Sequence, residues 1–350
     1  MRFYTGQHDH YCGTDLHARS MYLCVLDRAG EVRLHRDFPA SPESFLRAVA
    51  PFREGLVVGA ECMFTWYWLA DRCAAENIPF VLGHALYMKA IHGGKSKNDR
   101  IDSLETATLL RGGAIAHAYV YPPKMRATRA LLRRRTRMVP RRAELIAHVQ
   151  NTHHPYNLAA PGPRLAYTGN HEGVPEHFRD PTVRRSVELD LELARILGER
   201  ITDLELYLVR QAKEHDPNAF HLLRSIPGVG KILALTILYE VHTIERFPRV
   251  QDFASYCRLV KCSRESAGKI HGTGGAKIGN VHLKWAYSEA ATLFLHGNPE
   301  GQRLRGALIG VVIVDSGSLF EWRNARVDSF TRGRSNDLPF SSQRQGRVRA

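Results

Sequence analysis

Apolar and polar positions follow one rhythm in the first third of this chain and another in the rest. From about Tyr11 to about Tyr121, short apolar runs alternate with helix-like segments. An apolar run beginning at Tyr11 leads to Asp15, and Met21–Leu26 and Val32–Phe38 have the composition of strands. Between those two, Asp27-Arg-Ala-Gly30 reads as a hairpin turn whose glycine supplies positive φ. Ser41-Pro-Glu opens a helix through Phe45, Leu46 and Val49, with the serine as cap and the proline in the first turn. Leu56–Ala60 predicts a short buried strand, Trp66–Cys73 a helix and Pro79–Leu82 a further strand. This succession predicts a mixed sheet with helices packed on it.

Beyond that point the pattern becomes helical. Lys124 to Gln150 predicts one helix, in which Pro140 removes a hydrogen bond and predicts a kink. His153 to His177, rich in Pro, Gly, Asn and His, reads as a loop, because its histidines lack the cysteine and carboxylate company of a zinc site. Asp180-Pro181 caps and starts a second long helix running to about Lys213. Along it Val187, Ala194, Ile201 and Leu208 recur every seven residues, with Val183, Leu197 and Leu204 at the partner position and Asp190 and Gln211 weakening the seam. The pattern suits a long antiparallel coiled-coil arm that also dimerises, and equally an ordinary bundle helix. Residues 219–301 read as a last compact unit, mainly helical, and residues 316–350, polar and rich in Arg and Ser, as poorly ordered.

Charge narrows the partners. A net charge of +14 and a pI near 9.7 favour a polyanion, nucleic acid first. An acidic membrane surface is the competitor, but no basic amphipathic helix with a large apolar face stands out. Lys124, Arg126, Arg129, Arg133, Arg134, Arg135, Arg137, Arg141 and Arg142 follow one another with no acid before Glu144. A solvated face normally mixes signs, so this strip suggests phosphate binding, centred on Arg133, Arg134, Arg135 and Arg137. The six cysteines form no C-x-x-C pair, which suits buried thiols in a reducing compartment. With no apolar signal core after Met1 and no run near the ~20 residues of a membrane span, the sequence predicts a cytoplasmic protein that does not enter membranes.

Four carboxylates are placed for metal chemistry of the RNase H type. Asp15 and Glu61 end strand-like runs, while Asp99 and Asp102 stand three apart at the start of a helical stretch and face the same way. Oxygen ligands from several elements are what a pair of Mg²⁺ ions needs to activate a hydroxyl and stabilise a leaving oxygen. Asp99 is equally placed to act as a plain helix cap. A second centre lies downstream. Leu222–Leu238 has the form of a helix-hairpin-helix, in which Gly228 and Gly230 permit a tight turn whose N–H groups can hold a phosphate and Lys231 adds charge. The same turn also serves as a simple connector. In Cys262–Asn280, five glycines and several cations, Lys269 and Lys277 among them, surround Ser263 and Ser266. A serine held there could attack a phosphodiester, although the spacing alone equally describes a flexible surface loop.

Taken in order, Tyr11-Cys-Gly-Thr-Asp-Leu-His-Ala-Arg-Ser-Met21, Gly59-Ala-Glu61, Lys95-Ser-Lys-Asn-Asp-Arg-Ile-Asp102, Ile226-Pro-Gly-Val-Gly230, Glu265-Ser-Ala-Gly-Lys269 and Lys277-Ile-Gly-Asn280 resemble the insertion sequence 110 family of transposases, closest to its insertion sequence 1111 subgroup. The resemblance runs from about Phe3 to about Gln302. It implies an α/β RNase H-like (RuvC-like) domain over residues 8–122, a helical coiled-coil arm with a loop over 123–215, a transposase domain with helix-hairpin-helix and serine over 219–302, and an atypical, disordered tail over 303–350. It further implies an Asp15, Glu61, Asp99 and Asp102 tetrad binding Mg²⁺, a nucleophile at Ser266 with Ser263 as the fallback, and strand exchange through a covalent phosphoserine. Donor and target DNA, a structured noncoding guide RNA and a homo-oligomer, dimer or tetramer, with active sites built from different subunits, are the implied partners. Two departures stand out: Pro140 inside a helix the family builds uninterrupted, and loss of resemblance after Gln302, as a frameshift would produce. The competing readings are a Mg²⁺-dependent junction nuclease using the tetrad alone, and an inactive remnant, truncated or frameshifted, that only binds nucleic acid.

Overall fold

The computed structural model describes residues 2–91, 98–260, 262–274 and 278–299; Lys95, Ser96, Lys97, Lys277 and the tail lie outside the described residues. The chain separates into two compact units, Met1–Arg134 and Arg135–Ala350.

The first unit is built on β1 (His10–Leu16), β2 (Ser20–Asp27), β3 (Val32–Pro39), α1 (Pro42–Val49), β4 (Leu56–Glu61), α2 (Tyr67–Ala75), β5 (Phe80–Gly83), α3 (Ala85–Ile91) and α4 (Asp99–Arg111). Five strands form one sheet in the order β3-β2-β1-β4-β5. β1, β2 and β3 pair antiparallel, while β4 and β5 join parallel to β1. Turn chemistry is as expected: Gly30 sits at φ 91° in the β2–β3 turn, and Ser41 accepts the Ser44 N–H at the start of α1. The outer strand β3, with Arg33, Arg36 and Asp37, stays largely exposed, a common way to blunt a sheet edge.

Strand alternation assigns the two faces. Cys12, Leu16, Val58 and Ala60 enter a core with Phe45, Val49, Leu69 and Cys73. Tyr11 and Val57 point the other way and pack with Leu109 and Leu110 of α4. On that face two glycines stand side by side, Gly13 paired with Gly59. A Cβ on Gly13 would lie 2.2 Å from both the Ala107 nitrogen and the Ser103 carbonyl oxygen, so α4 rests on bare backbone. This is a mixed α/β domain, consistent with the RuvC-like expectation.

The remainder is helical. α5 (Pro123–Thr152) runs as one helix straight through Pro140, where an interruption was expected. α6 (Pro181–His215) starts as predicted, with Asp180 accepting the Thr182 and Val183 N–H groups. In the second unit, Arg135 bonds Glu205, Arg142 the Ala194 carbonyl and His148 Asp190, so the rest of α5 and α6 run antiparallel. Val187, Ala194, Ile201 and Leu208 are buried, and the first two pack with Ile146 and Val149 of α5. The histidine-rich connection is more ordered than a plain loop: it holds four short 3-10 turns, and His153 is fully buried with Nε2 3.1 Å from His177 Nδ1.

α7 (Pro217–Ser225), α8 (Lys231–Val241), α9 (Val250–Tyr256), β6 (Cys262–Ser266), β7 (Lys269–Gly274) and α10 (Val281–Gly297) complete the chain. β6 and β7 form a hairpin where a flexible loop was one expectation. Asn280 caps α10 and donates from Nδ2 to the buried Glu240 at 2.7 Å.

Candidate functional site

The acidic residues of the first unit reach their places through strand ends and one helix start. Asp15 is the penultimate residue of β1 and Glu61 the last of β4. The parallel register of β1 and β4 ends with Thr14 paired to Ala60, so Asp15 and Glu61 each follow the last paired residue of neighbouring strands. Among the described residues, Glu61 and Asp102 are not in the close group of ligand atoms that Asp15 joins. Asp99 and Asp102 occupy the first turn of α4, whose cap is Asn98: its side chain accepts the Ile101 N–H at 2.8 Å. Asp99 is therefore not needed as the cap, and its carboxylate is available for other work.

Ligand atoms of Asp15, His17 and Asp99 all lie within 4.8 Å of one another. His17 Nε2 stands 3.4 Å from the Asp15 carboxylate and 3.5 Å from that of Asp99. Burial pushes the Asp15 carboxyl up, His17 pulls it back, and the charges of Asp99 and Asp102 push it up again; the net shift is upward. Asp102 thus belongs electrostatically to the group. An acid held in this company is stabilised in its ionised form only by a counter-charge, and three hard or borderline donors in a small space suit a divalent cation. The sequence pattern alone gives His17 no role. The signal for it was its place two residues beyond Asp15, on the same side of an extended chain.

The basic strip divides on inspection. Arg134 and Arg137 are exposed and Arg133 half-buried. Arg135 is turned inward: with 15% of its side chain exposed it pairs with Glu205, which is also 3.0 Å from Lys231 Nζ. Burial works against the Glu205 charge, yet Lys231 and Arg135 together hold its carboxyl below the usual range. Arg126, 4% exposed, pairs with Asp71 and lies 5.2 Å over the Trp66 ring. The exposed part of the basic strip is therefore narrower than the sequence suggests.

In the second unit, Gly228 adopts φ 83°, and a Cβ there would meet the Ala290 oxygen at 2.5 Å and the Phe294 nitrogen at 2.6 Å. Close packing on α10 is enough to require glycine at that position. Gly230 precedes α8 with open space about it, and its neighbour Lys231 is engaged with Glu205. Ser266 is exposed where β6 turns into β7, register-paired with the exposed Lys269. The two residues between them, Ala267 at φ 51° and Gly268 at φ 73°, both adopt the left-handed conformation that tight hairpins use. Ser263 lies in the middle of β6, opposite Thr273.

Two transposase family profiles match separate stretches of the chain. The IS110 DEDD transposase profile matches residues 12–153, and the profile of the transposase IS116/IS110/IS902 family matches residues 220–305. The transposase for insertion sequence element IS1111A of Coxiella burnetii is 26% identical over 288 residues, 81% of this chain and 76% of that protein. An insertion element IS110 uncharacterized 43.6 kDa protein of Streptomyces coelicolor is 33% identical over 91 residues, 24% of this chain and 22% of that one. A sheet domain of DEDD type followed by a helical domain with its own transposase signature defines the class as a transposase enzyme, acting on DNA and implying a divalent metal in the first unit. The chain belongs to the IS110/IS116 family of insertion-sequence transposases. Among the described residues, no helix is long and apolar enough to cross a membrane.

Proposed function

We propose that this transposase cuts and exchanges DNA strands using Mg²⁺ held by Asp15, Glu61, Asp99 and Asp102 and the Ser266 hydroxyl as nucleophile, with a structured RNA of the element selecting donor and target. The observation that carries the reading is the gathering of Asp15, His17 and Asp99 donor atoms within 4.8 Å, from segments far apart in sequence. Bound there, the ion would supply Lewis-acid stabilisation of charge on the phosphate and the leaving oxygen.

The chain's own residues have separable tasks. Strand ends fix Asp15 and Glu61, and one helical turn fixes Asp99 and Asp102, so the carboxylates are arranged before substrate arrives. Ser266 Oγ, exposed at its hairpin turn, forms one bond to phosphorus as the bond to the leaving DNA oxygen breaks; the serine proton departs to a base and the DNA oxygen takes one up. The register-paired Lys269 offsets phosphate charge beside it. Arg134 and Arg137, exposed on α5, support binding of DNA or RNA backbones. α7, the glycine turn and α8 fit a helix-hairpin-helix that holds DNA through the open backbone at Gly230. Leu189, Leu193 and Ile196, exposed at i, i+4 and i+7 on α6, favour assembly of copies through the helical arm.

Excision of the cognate element, assayed with Asp15→Asn and Ser266→Ala, tests the reading. Each variant is expected to lose at least about 100-fold in rate, and a DNA adduct that survives denaturation should form with the wild type and not with Ser266→Ala. Undiminished excision in both variants would overturn it. A silent Ser266→Ala without any adduct would leave a tetrad-only nuclease.

A further inference from the structure

The loop after Glu61 holds two apolar side chains in solvent, 80% exposed for Phe64 and 52% for Met63. Leaving a ring of this size in water forgoes the gain of burying it, and the loop is not slack. Cys62 N–H donates to the Gly83 carbonyl at 2.8 Å, Met63 N–H to the Glu61 carbonyl at 2.8 Å, and Thr65 Oγ1 to the Leu16 carbonyl at 2.7 Å. Leu16 directly follows Asp15, so the loop is tied on both sides to strands that end in tetrad acids. Trp66 anchors its far end, buried beneath Arg126. Thr65, whose hydroxyl holds the Leu16 carbonyl, directly follows Phe64, so the exposed ring stands one residue from a tie to the strand that carries Asp15.

We propose that Phe64, with Met63 beside it, is a stacking platform for an unpaired base of the DNA strand whose phosphate is cut at the acidic site. The inference rests on reading the acidic cluster as a strand-cutting site. Opening a duplex to expose the scissile bond unstacks bases, at a cost of a few kcal/mol per step. An aromatic face returns about 1–3 kcal/mol per stacked base without regard to sequence. The ring sits on a loop tied to Glu61 and to Leu16 beside Asp15, where a strand cut at the acidic site would leave its stack, and aromatic faces grip such single strands. A single-stranded base is therefore favoured over a second copy of the chain.

The test uses the full-length protein with calcium replacing magnesium, and compares the wild type with Phe64→Ala and Phe64→Trp. Affinity is read by anisotropy for a short labelled single strand and for the same sequence as a duplex, with 2-aminopurine fluorescence reporting stacking. Phe64→Ala is expected to weaken single-strand binding by about 5- to 100-fold, leave the duplex within twofold and abolish the 2-aminopurine quench, while Phe64→Trp retains both. Equal weakening for the two DNAs, or none, overturns the platform and leaves the strand-cutting reading standing. Unchanged single-strand affinity with a drop in sedimentation mass assigns the loop to contacts between copies and also overturns it. A wild type that binds neither DNA in a salt-dependent manner removes the strand-cutting reading and the platform together.

Discussion

Asp15 concentrates the electrostatics of the first unit. Its carboxyl lies above the usual range, chiefly through burial and then through Asp99 and Asp102, against the pull of His17. An aspartate raised in the folded state costs no stability well below its unfolded value, about 3.9. The penalty sets in as pH rises past that value and is complete above the folded one. In chelator at neutral pH, Asp15→Asn is therefore expected to melt above the wild type, with the gap closing as pH falls toward 4; a gap independent of pH would contradict the assignment. A divalent ion at about one hundred times its Kd should stabilise the wild type by about 2.7 kcal/mol and Asp15→Asn far less, as calorimetry can read. Much of this was legible in the sequence, since carboxylates closing strands and opening a helix leave a readable order. The paired cations were not legible: whether Arg126 and Arg135 meet solvent or Asp71 and Glu205 depends on tertiary neighbours that periodicity does not encode.

At the scale of elements, the glycine in Cys12-Gly-Thr-Asp15 decides where α4 lies. Gly13→Ala places a methyl 2.2 Å from two backbone atoms of α4, which must move. A loss of about 1–3 kcal/mol is expected, with strand cleavage falling out of proportion because Asp99 and Asp102 ride on the displaced turn. Gly59→Ala meets side-chain ends alone, Leu110 at 3.1 Å, Ile115 at 3.4 Å and Thr106 at 3.5 Å, and should cost less than about 1.5 kcal/mol. Equal losses for the two variants, compared by urea unfolding, would refute the close-approach argument. The sheet, α1 and the α6 cap were readable because their patterns repeat or carry turn chemistry. The β6–β7 hairpin was not, because glycine-rich sequence looks like loop whether or not its strands pair. At Pro140 a helix can lose one hydrogen bond and continue, as α5 does to Thr152.

For the molecule as a whole, the sequence charge of +14 favours a polyanion, and the number of phosphates its cations neutralise sets how steeply binding falls with salt. Arg134→Ala and Arg137→Ala, at exposed positions, should each reduce the slope of log K against log salt by about 0.9 for duplex DNA. Arg135→Ala should leave the slope nearly unchanged and instead lower stability by about 1–3 kcal/mol, since its partner Glu205 is only 15% exposed and keeps Lys231 alone. Titrations at several salt concentrations, read beside thermal melts, separate the two outcomes; a slope change for Arg135→Ala matching the others would return it to the phosphate strip.

The contact of α4 with the bare strands at Gly13 leaves no compressible layer between them. Mutual repulsion of the acids at its first turn therefore finds no release in backbone movement, and it falls to His17, to protonation or to an incoming positive ion to offset it. Affinity for that ion is manufactured when the polypeptide folds, ahead of any encounter, and a looser seat for the helix would trade it away for movement.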